Sequence, residues 1–388
     1  MKRTEDSRLS RRVAKKVEEL KPSGIRRFFD LVMGREDVIS LGVGEPDFPI
    51  PWRIREEMIY SLEKGFTSYT SNLGLSELRE EISEYYKRFY LEVLPNRILI
   101  TTGASEAIDL AIRATIDPGD GVLIPEPCYV SYKPLVSICH GEAISIATNP
   151  EFKLTKEMIE KYLDDRTKVL ILNYPSNPTG VSYTKKELEE IADIVLEHDL
   201  IVISDEIYAE LTYDFKHVSI ASLNGMDDRC IVINGFSKAF SMTGLRIGYL
   251  IAPEDILNAI LKIHQYCMLC APITSQIGAI EALKCLEEVE KMKAEYLRRR
   301  NYVVKRLNEF LEIKKPEGTF YAFPNISETG MSSEEFAEGL LFKKNVAVVP
   351  GNAFGECGEG YVRMAFAVKF EKLKEAIDRM EDFLNAKG

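Results

Sequence analysis

From about residue 97 onward, the chain alternates short apolar runs, many of them β-branched, with longer amphipathic stretches. The apolar runs are RILITT, GDGVLIPEP, KVLILN, LIVISD, CIVIN and RIGYLIA. Runs that are apolar on both faces are typical of central strands in a parallel sheet that helices cover on both sides. The alternation therefore predicts an α/β layered domain with a mostly parallel sheet.

Residues 184–198, TKKELEEIADIVLEH, lie directly between two of these runs. Leu188, Ile191 and Val195 recur there at helical spacing with charges between them. A helix between two such strands makes a βαβ unit, and a series of these units builds a large domain. We place that domain at residues 46–284.

The composition then changes to long, charged helical patterns. Residues 286–310 predict one helix and residues 370–386 a closing one, with strand-like GTFYAFP, VAVVP and GYVRMAFAV between them. These features predict a smaller α/β domain at 285–388. Residues 1–45 are assigned to an amino-terminal arm and part of the small domain, and the Gly- and Pro-rich segment 41–51 is expected to line a cleft.

The charge balance limits the partners of this chain. Lys and Arg total 50 against 61 for Asp and Glu, a net charge of −11 that argues against a nucleic-acid-binding surface. No apolar run approaches the roughly 18 residues that a membrane span needs. The basic segment 1–16 contains Glu5 and Asp6, unlike a transit peptide, and is expected to form a solvated helix.

The seven cysteines are scattered, and their odd number argues against a disulfide framework. We therefore expect a reducing, cytoplasmic setting. His264, Cys267 and Cys270 have metal-ligand types at close spacing, but no second pair stands nearby. We interpret them as buried core residues and expect no metal site.

The stretch 234–249, NGFSKAFSMTGLRIGY, is the most informative part of the sequence, because Lys238 follows a predicted buried strand. By position alone, a solvated loop lysine is the simpler interpretation. Ser237 adds a hydroxyl group, and Arg246 offers a bidentate clamp for a phosphate. A partly desolvated lysine near other cations loses its proton more easily and can form a Schiff base with an aldehyde.

The signature Gly235-Phe236-Ser237-Lys238, followed by Gly244-x-Arg246-x-Gly248, resembles that of class I and II, fold-type I, pyridoxal-phosphate-dependent aminotransferases. The resemblance covers nearly the whole chain. The other landmarks occur in the family's order: Gly44-Glu45-Pro46-Asp47, Tyr69, Gly103-Ala104-Ser105, Tyr129, Asn177-Pro178-Thr179-Gly180, Asp205 with Tyr208, and Arg363.

The resemblance implies the fold of pyridoxal-phosphate-dependent transferases, with Lys238 as the catalytic residue that holds the cofactor. It implies transfer of an amino group from an L-amino acid to a 2-oxo acid, with 2-oxoglutarate as the expected acceptor. The chain is most similar to prokaryotic enzymes for aspartate or aromatic amino acids. A lyase, racemase or synthase of the same fold stays open as an alternative. A regulatory module is disfavoured, because no helix-turn-helix domain fits before Gly42.

Asp205 ends the apolar run LIVIS, so its carboxylate is expected at the carboxyl edge of the sheet, where ligands of open α/β sheets bind. A carboxylate there can keep the pyridine nitrogen of the cofactor protonated. A solvated acid or a helix cap is the simpler alternative. A magnesium-binding element of a P-loop ATPase is the other, but the chain has no G-x-x-x-x-G-K-[ST] segment.

Gly103-Ala104-Ser105 lies between a predicted strand and a predicted helix, so free amides at the helix start could bind a phosphate. The alternative is a nucleophile elbow with Ser105 as the nucleophile of a hydrolase. Ala107 stands where that motif has its second glycine, and only four histidines are available as bases.

Four further residues take their roles from the resemblance. Asn177 and Tyr208 are expected to donate hydrogen bonds to the phenolic oxygen of the cofactor, and Tyr129 to stack on its ring. On its own, Asn177 is a turn residue and Tyr129 a core aromatic. Tyr69 matches a tyrosine that reaches the cofactor phosphate of the neighbouring subunit, which implies a homodimer with a shared active site.

Arg363 stands in the strand-like GYVRMAFA, where an arginine is costly to bury unless it is paired. One of the many acids of the chain could be that partner, or the α-carboxylate of a substrate. The resemblance assigns the substrate carboxylate to Arg363, with Gly44 as a backbone contact and with Tyr129 and Asn177 also facing the substrate.

Overall fold

The computed structural model describes residues 12–22, 24–25, 32–35 and 37–386. Its strands are β1 (Ile39–Ser40), β2 (Ile98–Thr101), β3 (Gly121–Glu126), β4 (Glu142–Ala147), β5 (Thr167–Asn173), β6 (Ile201–Asp205), β7 (Cys230–Gly235), β8 (Gly248–Ile251), β9 (Tyr321–Ala322), β10 (Val346–Ala347), β11 (Val349–Pro350) and β12 (Val362–Ala365). Its helices are α1 (Lys15–Glu18), α2 (Trp52–Glu63), α3 (Ser76–Tyr86), α4 (Ala104–Thr115), α5 (Tyr132–Ile138), α6 (Lys156–Tyr162), α7 (Lys185–Glu197), α8 (Glu254–Cys267), α9 (Ile273–Leu283), α10 (Leu286–Leu307), α11 (Ser333–Lys344) and α12 (Phe370–Asn385).

A seven-stranded sheet in the order β2-β8-β7-β6-β5-β3-β4 forms the centre of the molecule. Strand β8 is antiparallel to both of its neighbours, and every other pair in this sheet is parallel. The predicted mostly parallel sheet is therefore confirmed. The run RIGYLIA is the exception because residues 236–247 contain only a short 3-10 turn, whereas a parallel return usually needs a crossover helix.

Strand β2 lies at an edge of the sheet, not in the centre as its two-sided apolar pattern predicts. All four of its residues are nevertheless buried. The loop before α3 covers this edge, where the backbone N–H of Ile100 donates to Leu73 O at 3.1 Å. A Cβ at Gly74 would lie 2.3 Å from the Ile100 side chain, so the loop packs closely on the strand. The covering loop explains the strand's apolar pattern.

Helix α7 confirms the helix predicted between two strands at 184–198. Thr184 and Glu187 form a capping box, in which the Glu187 carboxylate accepts the Thr184 N–H at 2.7 Å. The apolar face of α7, with Leu188, Ile191 and Val195, is buried against the sheet core. This crossover helix supports the parallel pairing of β5 with β6.

A second, smaller sheet contains β11, β12 and β9, all antiparallel. Strand β1 pairs in parallel with β10, and Ile39 and Leu41 join the hydrophobic cluster of the carboxyl-terminal third. This pairing supports the assignment of part of residues 1–45 to the small domain, although the three domain boundaries themselves stay predictions. The predicted helices at 286–310 and 370–386 correspond to α10 and α12.

Residues 1–11 of the predicted basic segment lie outside the described residues, and α1 spans four residues. No helix in the described part of the chain is long and apolar enough to cross a membrane. Within the same part, no group of three or more His, Cys, Asp or Glu side chains could hold a metal ion. Of the predicted buried trio, only His264 is buried. Cys267 is exposed because it ends α8 at the surface, and Cys270 is half-buried.

Candidate active site

A cleft of about 320 Å³ lies beside the carboxyl ends of β5, β6 and β7, with residues of the small sheet on its wall. Because these strands run in parallel, their carboxyl ends meet at one edge of the sheet. All predicted site residues except Tyr69 line this cleft: Gly44, Ala104, Ser105, Tyr129, Asn177, Asp205, Tyr208, Ser237, Lys238, Arg246 and Arg363. Tyr69 is 82% exposed and lies outside it.

Lys238 lies three residues after β7, with its amine inside the cleft. Its Nζ donates to Gly44 O at 2.6 Å and lies 5.8 Å from the centre of the Tyr208 ring. Burial, helped by the positive charge of Arg363, lowers the pKa of Lys238 to about 8. A sizeable neutral fraction near physiological pH makes this amine a competent nucleophile and base.

Asp205 is the last residue of β6 and is 4% exposed. The Tyr132 hydroxyl donates to its Oδ2 at 2.6 Å, and the Ile207 N–H donates to its Oδ1 at 3.2 Å. Burial raises the pKa of Asp205 to about 6 despite these two donors. A cationic group bound in the cleft would stabilise the ionised carboxylate.

Helix α4 begins at Ala104, directly after Gly103, whose φ is +80°, and no side chain of the residues that the structure describes caps this end of the helix. A Cβ at Gly103 would lie 2.7 Å from Arg246 Nη2, so the glycine allows the guanidinium to approach the backbone. The Nη1 group of Arg246 donates to Thr243 O at 3.1 Å. Uncapped amides and a guanidinium together make a cradle suited to a phosphate.

Arg363 lies on β12 and is 2% exposed. Its Nη1 donates to Asn177 Oδ1 at 2.9 Å and its Nη2 to Gly42 O at 2.7 Å, while Nε has no hydrogen-bond partner in the described part of the chain. No acidic side chain among the described residues forms an ion pair with it. A buried cation with neutral acceptors and a free donor is suited to the carboxylate of a ligand.

The donors and acceptors of the cleft fit pyridoxal phosphate. A nucleophilic lysine suits its aldehyde, a buried acid suits its ring nitrogen, and the uncapped helix start beside Arg246 suits its phosphate. The hydrolase alternative finds no support in the described residues, since no histidine is hydrogen-bonded to Ser105. His264 pairs with Glu106 and His217 with Glu206 instead.

Sequence reasoning gave no role to several residues in or behind the cleft. Asn173 ends β5 as Asp205 ends β6, so the same carboxyl-edge rule could have identified it. Tyr132, behind Asp205, and Tyr321, on β9, carried no sequence signal, because both reach the site through tertiary packing. Glu45 and Thr243 also line the cleft and are joined by a 2.8 Å hydrogen bond from Thr243 Oγ1.

Comparison with known proteins gives a consistent result. The family described as aminotransferase class I and II matches residues 36–380. Aspartate aminotransferase of Pyrococcus abyssi is 48% identical over 381 residues, covering 96% of this chain and 98% of the relative. Aromatic-amino-acid aminotransferase 2 of Thermococcus litoralis is 46% identical over 381 residues, with coverage of 96% and 98%. The solved structure of Thermus thermophilus aspartate aminotransferase with maleate is 33% identical, with a TM-score of 0.91 and coverage of 96% and 99%.

Proposed function

Because this chain belongs to the class I and II aminotransferases and is a pyridoxal-phosphate-dependent transaminase, we propose that the cleft around Lys238 is its active site. Bound pyridoxal phosphate supplies an aldehyde that exchanges amines and a ring that withdraws electrons from the substrate's α-carbon. The observation that carries the proposal is the convergence of Lys238, Asp205 and Arg363 in one cleft.

Lys238 is assigned two tasks. Its neutral Nζ would hold the cofactor through the aldehyde, with loss of water, and the freed amine would take up and give back the α-proton of the substrate. The lowered pKa of Lys238, about 8, supports both tasks, because each needs an amine that gains and loses a proton near neutral pH. Its hydrogen bond to Gly44 O keeps the amine inside the cleft.

The residues around Lys238 are assigned to hold and tune the cofactor. Asp205 keeps the ring nitrogen protonated, and Tyr132 orients the Asp205 carboxylate. The phosphate is assigned to the start of α4 and to Arg246, with these contacts: the Ala104 and Ser105 amides, the Ser105 and Ser237 hydroxyls and the Arg246 guanidinium. Tyr208 and Asn177 would donate to the phenolic oxygen of the cofactor, and Tyr129 would stack on its ring.

The substrate carboxylate is assigned to Arg363, with Gly44, Tyr129 and Asn177 beside it. We propose an aromatic amino acid or aspartate as donor and 2-oxoglutarate as acceptor. The names of the relatives support both donors.

Substrate choice is tested by a panel of amino donors with 2-oxoglutarate, ranked by kcat/KM. Phenylalanine, tyrosine and aspartate are expected at the top, and alanine and lysine serve as comparisons. The products are identified in the same assay. Formation of ammonia without a 2-oxo acid acceptor would indicate a lyase, and loss of optical activity would indicate a racemase.

We further propose a homodimer in the cytoplasm. Tyr69 is exposed, and so are large apolar side chains of α2, of the loop after it and of the 266–269 segment: Trp52, Ile59, Tyr60, Leu62, Phe66, Tyr266, Met268 and Leu269. The Asn72 side chain donates to Leu269 O at 2.7 Å, which joins the two segments. A second copy would cover this surface and bring Tyr69 to the partner's phosphate. Seven free cysteines support a reducing compartment.

A further inference from the structure

Tyr321 lines the cleft and is 1% exposed, although no sequence motif identified it. It lies on β9, which pairs antiparallel with β12 so that Tyr321 stands opposite Ala365. Arg363 is two residues from Ala365 and is therefore a diagonal neighbour of Tyr321 on the same face of the small sheet. The strand pairing fixes the Tyr321 ring beside the guanidinium.

The ring and the hydroxyl of Tyr321 contact two different parts of the proposed site. The Arg363 Cζ lies 4.4 Å from the centre of the Tyr321 ring, a distance at which an aromatic face stabilises a cation. The Tyr321 hydroxyl lies 3.0 Å from the Tyr208 hydroxyl. One side chain therefore joins the residue assigned to the substrate carboxylate to a residue assigned to the cofactor.

Gly44 leaves room for the Tyr321 hydroxyl. A Cβ at Gly44 would lie 2.5 Å from the Tyr321 Oη, so the hydroxyl occupies the space that any larger residue would fill. The carbonyl of the same glycine accepts the hydrogen bond of Lys238 Nζ at 2.6 Å. The Tyr321 hydroxyl is thus confined between Gly44 and Tyr208.

We propose that Tyr321 is a positioning residue that tunes Tyr208 through its hydroxyl and orients Arg363 through its ring. The inference rests on the proposed roles of those two residues. Tyr208 has one hydroxyl proton, and when it donates that proton to the cofactor, its own oxygen is free to accept from Tyr321. A hydrogen bond received by an O–H group strengthens the one that it gives. Tyr321 therefore makes Tyr208 a better donor.

The hydroxyl is tested by Tyr321→Phe in the holoenzyme, with a pH titration of the visible absorbance of the bound cofactor. A weaker donor at Tyr208 makes the phenolic oxygen more basic, so the pH midpoint is expected to rise by about half a unit. Tyr302→Phe removes a hydroxyl from α10, where the ring packs on Phe370, and is the matched control. A midpoint for Tyr321→Phe equal to that of the wild type would overturn this role.

The ring is tested by the dissociation constant of maleate, a carboxylate with no amino group to transfer. Tyr321→Phe keeps the ring and is expected within about twofold of the wild type, whereas Tyr321→Leu is expected to bind about tenfold more weakly. Tyr321→Met provides a second ringless variant if the leucine variant does not fold. If the ringless variants bind maleate as tightly as the wild type, the Tyr321 ring does not orient Arg363.

Two further variants separate this inference from the proposed function. Tyr208→Phe is expected to raise the midpoint more than Tyr321→Phe, and the double variant is expected to match Tyr208→Phe alone, because the Tyr321 hydroxyl acts through Tyr208. If Tyr208→Phe leaves the midpoint unchanged, the role proposed for Tyr208 is wrong. If it raises the midpoint while Tyr321→Phe does not, only the inference about Tyr321 fails.

Discussion

Burial gives Lys238 a chemistry that an exposed lysine lacks. Its pKa is lowered from 10.5 to about 8, so the neutral amine accumulates as the pH rises through about 8. In cofactor-free protein, the rate of attachment of pyridoxal phosphate is expected to rise with pH and to level off above that value, as followed by absorbance. A pH midpoint near 10.5 for this attachment rate would contradict the burial of the Lys238 amine.

Lys238→Ala is expected to lose the attachment of pyridoxal phosphate and at least about a thousandfold of activity. Lys262→Ala, on the exposed face of α8, is the control and should retain both.

The guanidinium of Arg363 is planar and holds several N–H donors in a fixed geometry that the ammonium of a lysine does not have. Nη1 and Nη2 are each committed to a protein acceptor, and the ammonium of a lysine cannot make those contacts and hold a carboxylate in the same geometry. Arg363→Lys is expected to lower kcat/KM by about 100-fold. The loss should appear mainly in KM for the amino donor in steady-state kinetics. Arg298→Lys, which changes an arginine paired with Glu295 at the surface, is the control. Equal losses of kcat/KM in the two variants would refute a carboxylate-binding role for Arg363.

At the scale of elements, helix α4 contributes its uncapped start to the cleft, and Gly103 shapes this end. Gly103→Ala places a Cβ against Arg246 at a φ of +80°, and is expected to weaken pyridoxal phosphate binding roughly tenfold. Pyridoxal, which lacks the phosphate, is expected to bind both proteins equally. Gly119 also has a positive φ, +94°, but a Cβ there would meet no atom of the described residues within 4 Å. Gly119→Ala therefore controls for backbone strain alone. If Gly103→Ala weakened the binding of pyridoxal phosphate and of pyridoxal equally, a phosphate site at the start of α4 would be contradicted.

At the scale of the whole molecule, the exposed Tyr69 and the exposed apolar side chains of α2 and of the 266–269 segment predict a dimer. Sedimentation is expected to give twice the mass of 44.1 kDa at assay concentration. Tyr69→Phe is expected to raise the dissociation constant of pyridoxal phosphate about tenfold, because a hydrogen bond to a charged phosphate is lost across the interface. Tyr90→Phe, an exposed tyrosine elsewhere on the surface, should leave it unchanged. A fully active monomer would exclude the shared site.

The sequence by itself determined the local features of this protein. Apolar runs marked six of the seven strands of the large sheet, all but β4, and helical periodicity marked α7. The position of Asp205 at the end of a run predicted its place at the carboxyl edge. These features depend on near neighbours in the chain, whose pattern can be read directly. The residues around Lys238 pointed to its chemistry for the same reason.

Only the tertiary structure decided which distant residues meet. The direction of β8, the edge position of β2 and the pairing of Arg363 with the neutral acceptors Asn177 and Gly42 depend on how strands and loops pack, not on any local pattern. Tyr321 reaches the cleft because β9 pairs with β12, 40 or more residues away, and Tyr132 reaches Asp205 across 73 residues. The pKa values of Lys238 and Asp205 follow from burial, which packing alone creates.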